Sequence, residues 1–130
     1  MVQKTIMRVQ KKDHYAQTTT RKAVRAVIER EDKLLMIYSN RIGDFKFPGG
    51  GFKFGETESD VLKREVLEES GYRIKAIQNR IAEIIEVQQD KDQMHTIFEM
   101  RSTYYSCEIH DEHGQQELDE YEAEGNRAFA

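Results

Sequence analysis

Three glutamates stand close together at positions 65, 68 and 69, in a segment whose apolar residues recur with helical spacing. At about 100° per residue, Glu65 and Glu69 share a helix face with those apolar residues, and Glu68 lies at its border. Carboxylates that face a protein core need compensation, because buried unpaired charge is costly, and Arg64 alone cannot neutralise three acids. The pattern therefore predicts a divalent cation held by carboxylate oxygens, which suits Mg²⁺ or Mn²⁺; the alternative is a solvated acidic helix. The apolar residues are Val61, Leu62 and Val66.

The limits of this helix can also be predicted from the sequence. Thr57, followed three residues later by Asp60, is typical of a helix N-cap. Gly71 is a natural C-terminal end, because glycine tolerates the left-handed conformation found there. Upstream, the glycines at positions 49–51 allow the backbone to approach a ligand closely or to adopt a positive φ, and Pro48 fixes the entry to that turn.

The segment from Gly50 to Tyr72 resembles the signature of the Nudix hydrolase family. That signature is Gly-x5-Glu-x7-Arg-Glu, a bulky apolar residue, one residue, Glu-Glu, one residue, Gly and a final bulky apolar residue, and every position is filled at the right spacing. The aromatic Tyr72 and the valine at position 61 are soft departures from the usual residues. The detailed match covers residues 45–72, and the strand order is compatible over roughly residues 20–110. The signature residues are Gly50, Glu56, Arg64, Glu65, Val66, Glu68, Glu69, Gly71 and Tyr72.

The resemblance implies a metal-dependent hydrolase that cleaves the diphosphate of a nucleoside diphosphate linked to another group. It implies that Arg64 forms a salt bridge that orients one of the glutamates, and that Glu69 or Glu68 accepts the proton of the attacking water. Some family members recruit this base from a loop outside the signature. Here that loop offers Glu117, Glu120, Glu122 and Glu124, for each of which the alternative is a solvated acidic loop. The implied metal ligands are Glu65, Glu68, Glu69 and the backbone carbonyl of Gly50, with Glu56 acting through a water.

Alternating apolar residues around this unit predict strands, and one helix among about six strands indicates an α+β domain. The resemblance implies an α/β/α sandwich around a mixed sheet. Glu31-Asp32 is predicted to join two of the strands as a hairpin. Residues 11–20 are interpreted as a connector, and His110 and His113 as exposed residues of a polar loop. The predicted strands are 3–10, 23–29, 33–38, 72–77, 81–87 and 96–109.

The length of 130 residues predicts a single domain, with an N-terminal arm at 1–19, a core at 20–109 and an acidic tail at 110–130. The C-terminal helix expected from the family is predicted to be missing or shortened, with at most a short polar helix at 114–124. A sheet left uncovered there would expose apolar surface, so a homodimer is predicted.

Composition limits the location and partners of the chain. Its apolar runs are far shorter than a membrane span, and the N-terminus lacks the apolar stretch of a signal peptide. The single Cys107 cannot form an internal disulfide, which favours the cytoplasm. Residues 1–30 are rich in lysine and arginine, which suits RNA or nucleotide phosphates. The alternative is a solvated face, since no aromatic residues interleave the charges, and nucleic acid is not otherwise indicated except as RNA 5′ ends.

Two functional hypotheses remain at this level. The first is a catalytic pyrophosphohydrolase that acts on a nucleotide-type small molecule. The second is a binding module that keeps the fold and senses a nucleotide without turnover. A degraded signature would indicate the second hypothesis, and here every acidic position is present. Nucleoside triphosphates, ADP-ribose, dinucleoside polyphosphates and capped RNA ends all suit the same metal site.

Overall fold

The structure is a computed structural model that describes residues 1–9, 17–39, 43–90, 95–114 and 125–129. The described part contains one α-helix, α1, and nine β-strands, which confirms the predicted α+β class. With 13 residues, α1 is too short to cross a membrane, and the described residues contain no other helix. The elements are β1 (Val2–Met7), β2 (Gln17–Val27), β3 (Glu29–Arg30), β4 (Lys33–Ser39), β5 (Asp44–Lys46), β6 (Gly49–Gly51), α1 (Glu58–Ser70), β7 (Tyr72–Gln89), β8 (Thr96–His113) and β9 (Gly125–Phe129).

The larger sheet is mixed and has the strand order β1-β7-β8-β2-β6. The long strands β7 and β8 form an antiparallel pair, whereas β1 runs parallel to β7 and β2 runs parallel to β8. The short β6 pairs with β2 in the antiparallel sense, so the glycines predicted to form a turn are part of the sheet. This pairing holds the glycine segment at one edge of the sheet, directly before α1.

Strand β7 corrects the prediction of two separate strands at 72–77 and 81–87. The polar residues between them remain in the strand, and the register with β8 shifts between Ile77 and Arg80 and again before Ala82. The backbone N–H of Asn79 donates to the Ser106 hydroxyl at 3.1 Å across one of these irregularities. The β-bulges thus let one strand continue through a polar segment that sequence alternation interprets as a break.

Two further predictions fail at the strand ends. Residues 17–20, assigned to a connector, begin β2 and pair with β8 from Thr96 onward, which agrees with the preference of β-branched threonines for strands. The exposure predicted for His110 and His113 is confirmed, but both lie in β8 rather than in a loop. Strand β8 continues this far because Tyr72 of β7 pairs with His113.

The smaller sheet is built around β4, which pairs with β3, β5 and β9. The predicted hairpin is confirmed, with Glu31 and Asp32 in the left-handed region at φ 52° and 62° between β3 and β4. The antiparallel β9 was not predicted, since residues 110–130 were interpreted as an acidic tail. Residues 115–124 lie outside the described residues. They contain all of the suggested helix at 114–124 except Gly114, and all four base candidates, Glu117, Glu120, Glu122 and Glu124.

Helix α1 packs its apolar face on one side of the larger sheet. Its start is fixed by a capping box in which Thr57 and Asp60 exchange side-chain and backbone hydrogen bonds, and its end is fixed by Gly71 at φ 80°. Both limits agree with the sequence prediction. The core that joins helix and sheet consists of Val24, Ala26, Ile28, Leu35, Val61, Leu62, Val66 and Cys107.

Candidate active site

Arg64 lies at the centre of the acidic residues contributed by α1 and the preceding loop. Its guanidinium makes two hydrogen bonds to the Glu56 carboxylate, at 2.7 and 2.8 Å, and one to Glu65 Oε1 at 2.8 Å. It also donates to the Gly51 carbonyl at 3.1 Å and lies 3.5 Å from Glu68 Oε2. The sequence therefore places one arginine where it holds the glycine strand and three glutamates together. We call Glu56, Glu65, Glu68 and Glu69 the acidic cluster.

Electrostatics around Arg64 favour the charged forms of its partners. Hydrogen bonds from the Arg64 side chain and from the Lys53 backbone lower the pKa of Glu56 from 4.5 to about 2. The same contact with Glu56 raises the pKa of Arg64 above its ordinary value. Glu56 therefore stays ionised at neutral pH and keeps Arg64 in place.

Glu65 is buried and lies against the backbone of β6. A Cβ placed on Gly50 would be 2.7 Å from Glu65 Oε1 and 2.8 Å from its Cδ, so only glycine leaves room for this carboxylate. Its neighbour differs, because a Cβ on Gly51 would meet its nearest atom at 3.6 Å. Gly50 is thus required by the close approach of Glu65.

Glu69 is also buried, at 1% side-chain exposure, yet it is well connected. The backbone N–H of Gly49 donates to its Oε1 at 2.8 Å, and Lys46 Nζ lies 3.1 Å from its Oε2. Gly49 adopts φ 150°, and a Cβ there would lie 2.0 Å from the Val24 carbonyl oxygen. This glycine is therefore required by strand packing, which in turn aims its N–H at Glu69.

The acidic cluster suits a hard divalent cation in the chemistry of its donors. All its side-chain donors are carboxylate oxygens, and the space kept free by Gly50 brings Glu65 close to the β6 backbone. In the described part of the chain, however, no three acidic, histidine or cysteine side chains are already arranged around one metal position. The carboxylates contact Arg64, Lys46 and backbone N–H groups instead, so the predicted ligand set stays a prediction.

A cavity of about 440 Å³ opens between the two sheets, on the side of the larger sheet that does not carry α1. Its link to the acidic cluster is Lys46, which lines the cavity and contacts Glu69. This cavity was not predicted from the sequence, because alternation along β8 marks only one of its walls and the smaller sheet supplies the opposite one. Its lining residues are Arg25, Met36, Phe45, Lys46, Phe47, Glu86, Gln88, Phe98, Met100, Ser102 and Tyr104.

Arg25 and two aromatic rings fix the wall nearest the glycine segment. Arg25 donates from Nη1 to the carbonyls of Phe47, at 3.2 Å, and Gly49, at 2.9 Å. The rings of Phe47 and Tyr104 meet edge to face, with centroids 5.8 Å apart. Burial raises the pKa of the Tyr104 phenol, so it stays protonated at neutral pH.

Within the described residues, no histidine takes part in this site, and neither does Cys107. Cys107 is buried in the core, and its burial raises the pKa of the thiol to about 11. A thiol with that pKa is a poor nucleophile at neutral pH.

Comparison with known proteins identifies a domain family for this chain. The sequence profile of the NUDIX domain matches residues 19–129 of this chain. No curated protein sequence is significantly similar to it.

Several solved structures are similar over most of this chain, and three of them are as follows. An ADP-ribose pyrophosphatase from Streptococcus suis is 23% identical with a TM-score of 0.62, over 85% of this chain and 73% of its own. A UDP-X diphosphatase is 20% identical with a TM-score of 0.62, over 86% of this chain and 51% of its own. A MutT NUDIX hydrolase from Burkholderia pseudomallei is 18% identical with a TM-score of 0.59, over 76% of this chain and 74% of its own. At these identities the similarity establishes the fold.

Proposed function

The chain belongs to the Nudix hydrolase family, and from this membership we propose that it hydrolyses a diphosphate linkage in a nucleoside diphosphate derivative. The sequence-based prediction of a Nudix-family enzyme is confirmed by the domain match. Members of this family generally use divalent metal ions. Mg²⁺, or Mn²⁺ in its place, is the ion that we propose for this chain.

The observation that carries the proposal is the arrangement of the acidic cluster around Arg64 and the glycine strand. Three of its carboxylates contact one guanidinium, and the fourth is held by the Gly49 N–H and Lys46. Within the described residues, the four carboxylates face two cations, Arg64 and Lys46, so two negative charges remain in excess of these partners. Because excess charge in a partly buried cluster is costly, the cluster favours a further positive partner. In this proposal the metal ligands are Glu65, Glu68, Glu69 and the carbonyl of Gly50, with Glu56 acting through a water.

A divalent cation held there lowers the pKa of a bound water and neutralises charge on phosphate oxygens. Arg64 and the glutamates of the acidic cluster have separate roles in this proposal. Arg64 orients Glu65 and Glu56, and its position between them fixes their side chains before substrate arrives. Glu69 or Glu68 takes the proton of the attacking water. Glu68 has a side chain that is 24% exposed and is the more open to solvent of the two.

Lys46 connects this chemistry to the cavity. Its ammonium contacts Glu69 Oε2, and its side chain lines the cavity. In this proposal Lys46 therefore contacts the diphosphate of a substrate that extends from the acidic cluster to the cavity. Two similar structures bear the names ADP-ribose pyrophosphatase and UDP-X diphosphatase, and we extend that reaction class to this chain. The substrate is then a nucleotide-type small molecule, with RNA 5′ ends as the macromolecular alternative.

The direct test is hydrolysis of a nucleotide panel in Mg²⁺ and in Mn²⁺. The panel contains nucleoside triphosphates, ADP-ribose, dinucleoside polyphosphates and capped RNA, with product nucleotides resolved by chromatography. We expect cleavage at a diphosphate bond of at least one class and no cleavage after chelation of the metal. Tight nucleotide binding without cleavage of any member would instead support the sensing module.

We also propose a cytoplasmic location and a homodimer. The exposed apolar side chains of Met1, Val2 and Met7 lie on or beside β1, the edge strand of the larger sheet. Exposed edge strands are commonly covered by association. Light scattering is expected to give twice the chain mass of 15.3 kDa, and a monodisperse monomer would refute the dimer.

A further inference from the structure

We propose that the cavity between the sheets is the site for the nucleotide base, and that Glu86 makes it selective for guanine. This inference rests on the proposed function and names the substrate class of the same site. Four features of the structure support it: the position of the cavity, its aromatic wall, the charge of Glu86 and the lack of a described partner for that charge.

The cavity lies on the opposite face of the sheet from α1. Along β8, the residues at positions 98, 100, 102 and 104 face the cavity, whereas Tyr105 and Cys107 pack toward the helix. The acidic cluster and the cavity meet at Lys46. A nucleotide whose diphosphate contacts Lys46 therefore has the cavity beside it, as this proposal requires for the base. The volume of about 440 Å³ falls within the range of roughly 300–1,000 Å³ that is typical of small-molecule sites.

Aromatic and sulfur-containing side chains form much of the cavity wall, which suits a flat ring. Phe47 and Tyr104 form an edge-to-face pair in its lining, which also contains Phe45 and Phe98. Any nucleobase can stack on such rings, because every base has a π face. The aromatic wall thus accounts for binding a base, and selectivity must come from the polar groups.

Glu86 is the only carboxylate among the described residues that line the cavity. It forms no hydrogen bond or ion pair with another residue in the described part of the chain. An ionised carboxylate can only accept hydrogen bonds, through two adjacent oxygens. It therefore matches a base edge that presents two adjacent N–H donors.

Guanine is the base with such an edge, formed by N1–H and the N2 amino group. Adenine places an acceptor, N1, beside its N6 amino group, so a carboxylate opposite this edge is repelled by one of the two atoms. Hypoxanthine keeps N1–H but lacks the amino group. Gln88, the neighbouring polar residue on the same face of β7, has an amide that both donates and accepts, so it does not discriminate between these bases.

The test is calorimetric binding of GDP, IDP and ADP in Mg²⁺, which needs no turnover. Wild-type protein should bind GDP more tightly than IDP and IDP more tightly than ADP, by roughly tenfold at each step, as expected for charged hydrogen bonds. The isosteric E86Q should weaken GDP binding by about ten- to a hundredfold and leave ADP binding unchanged or improved.

The matched control is E83Q, the same substitution on the same strand but on the opposite face. Glu83 pairs with Arg80 at 2.7 Å and lines a separate recess, so this variant should bind GDP as the wild type does. ADP binding as tight as GDP binding in the wild type would overturn the proposal. So would an equal loss for all three nucleotides in E86Q, or no measurable binding of any of them.

The binding test of the guanine site and the hydrolysis test of the proposed function can fail independently of each other. Selective GDP binding with no hydrolysis in the panel would support the guanine site and refute the enzyme. Hydrolysis in the panel without a guanine preference in binding would support the enzyme and refute the role of Glu86.

Discussion

Substituting Gly50 by alanine should impair catalysis while leaving the fold intact. The new Cβ would lie 2.7 Å from Glu65 Oε1, and ordinary van der Waals contact begins at 3.4 Å, so the carboxylate must move by about 0.7 Å. The atom that yields is the end of a side chain, which can move at low cost. Glu65 also accepts from Arg64 at 2.8 Å, so its displacement disturbs that contact as well.

The size of the effect follows from the displacement. A misplacement of about 1 Å in a catalytic group can cost about a hundredfold in rate. For a shift of about 0.7 Å we expect kcat to fall by roughly 10- to 100-fold, which is about 1.4–2.7 kcal/mol. The free energy of unfolding should change by less than about 1 kcal/mol, because alanine also restricts the unfolded chain.

The adjacent glycines supply the controls for this experiment. A Cβ on Gly51 meets its nearest atom at 3.6 Å, so G51A should keep both activity and stability. A Cβ on Gly49 would lie 2.0 Å from the backbone oxygen of Val24, so G49A should lose at least about 2 kcal/mol of stability. The assays are steady-state hydrolysis and thermal unfolding of all three variants. If G50A has the kcat of G51A, or unfolds as easily as G49A, the reasoning about Glu65 is wrong.

Three further predictions concern the acidic cluster. E68Q should lower kcat by at least about two orders of magnitude at saturating Mg²⁺ without loss of fold, and comparable turnover would refute the assignment. Mg²⁺ or Mn²⁺ should raise the melting temperature, because the cation binds only the folded state and relieves repulsion among Glu65, Glu68 and Glu69; Na⁺ at matched ionic strength should have little effect, and an equal response to Na⁺ would count against the metal site. The pKa of Glu56 is lowered to about 2, so its contact with Arg64 stabilises the fold above about pH 4.5 and this contribution is lost as the pH falls toward 2. Urea unfolding across that range should show a weaker pH dependence for E56Q, and identical curves would contradict the role of this contact.

The unit from Gly50 to Gly71 could be predicted in detail because its signals are local. The capping box and the left-handed glycine depend on residues within one turn of each helix end. The burial of Glu65 and Glu69 follows from helical geometry alone and agrees with the predicted wheel. The functional roles of these residues are still predictions, since they depend on a cation and a substrate.

Features that depend on distant partners could not be predicted. The glycines at 49–51 form a strand only because β2 lies beside them, and no periodicity marks three consecutive glycines as a strand. Strand β7 continues past Gln78 and Asn79 because β8 supplies hydrogen bonds there, including one from Gln78 to Glu108 at 2.8 Å. The cavity requires the smaller sheet to cover the larger one, and this packing has no signal in a single segment.

Alternation along β2 and β8 places the residues that pack against α1 on one face of the sheet and the residues that line the cavity on the other. Enzyme engineers often need to change such properties independently. In β2, Val24 and Ala26 face the helix that carries the acidic cluster, whereas Arg25 faces the cavity. In β8, Tyr105 belongs to the helix side and Tyr104 to the cavity side. A library randomised at positions 98, 100 and 102 would therefore sample new cavity shapes while the helix packing stays constant. With the roles proposed for the cavity and the acidic cluster, the same separation would let a lineage of such proteins diverge in substrate range while the acidic cluster stays unchanged.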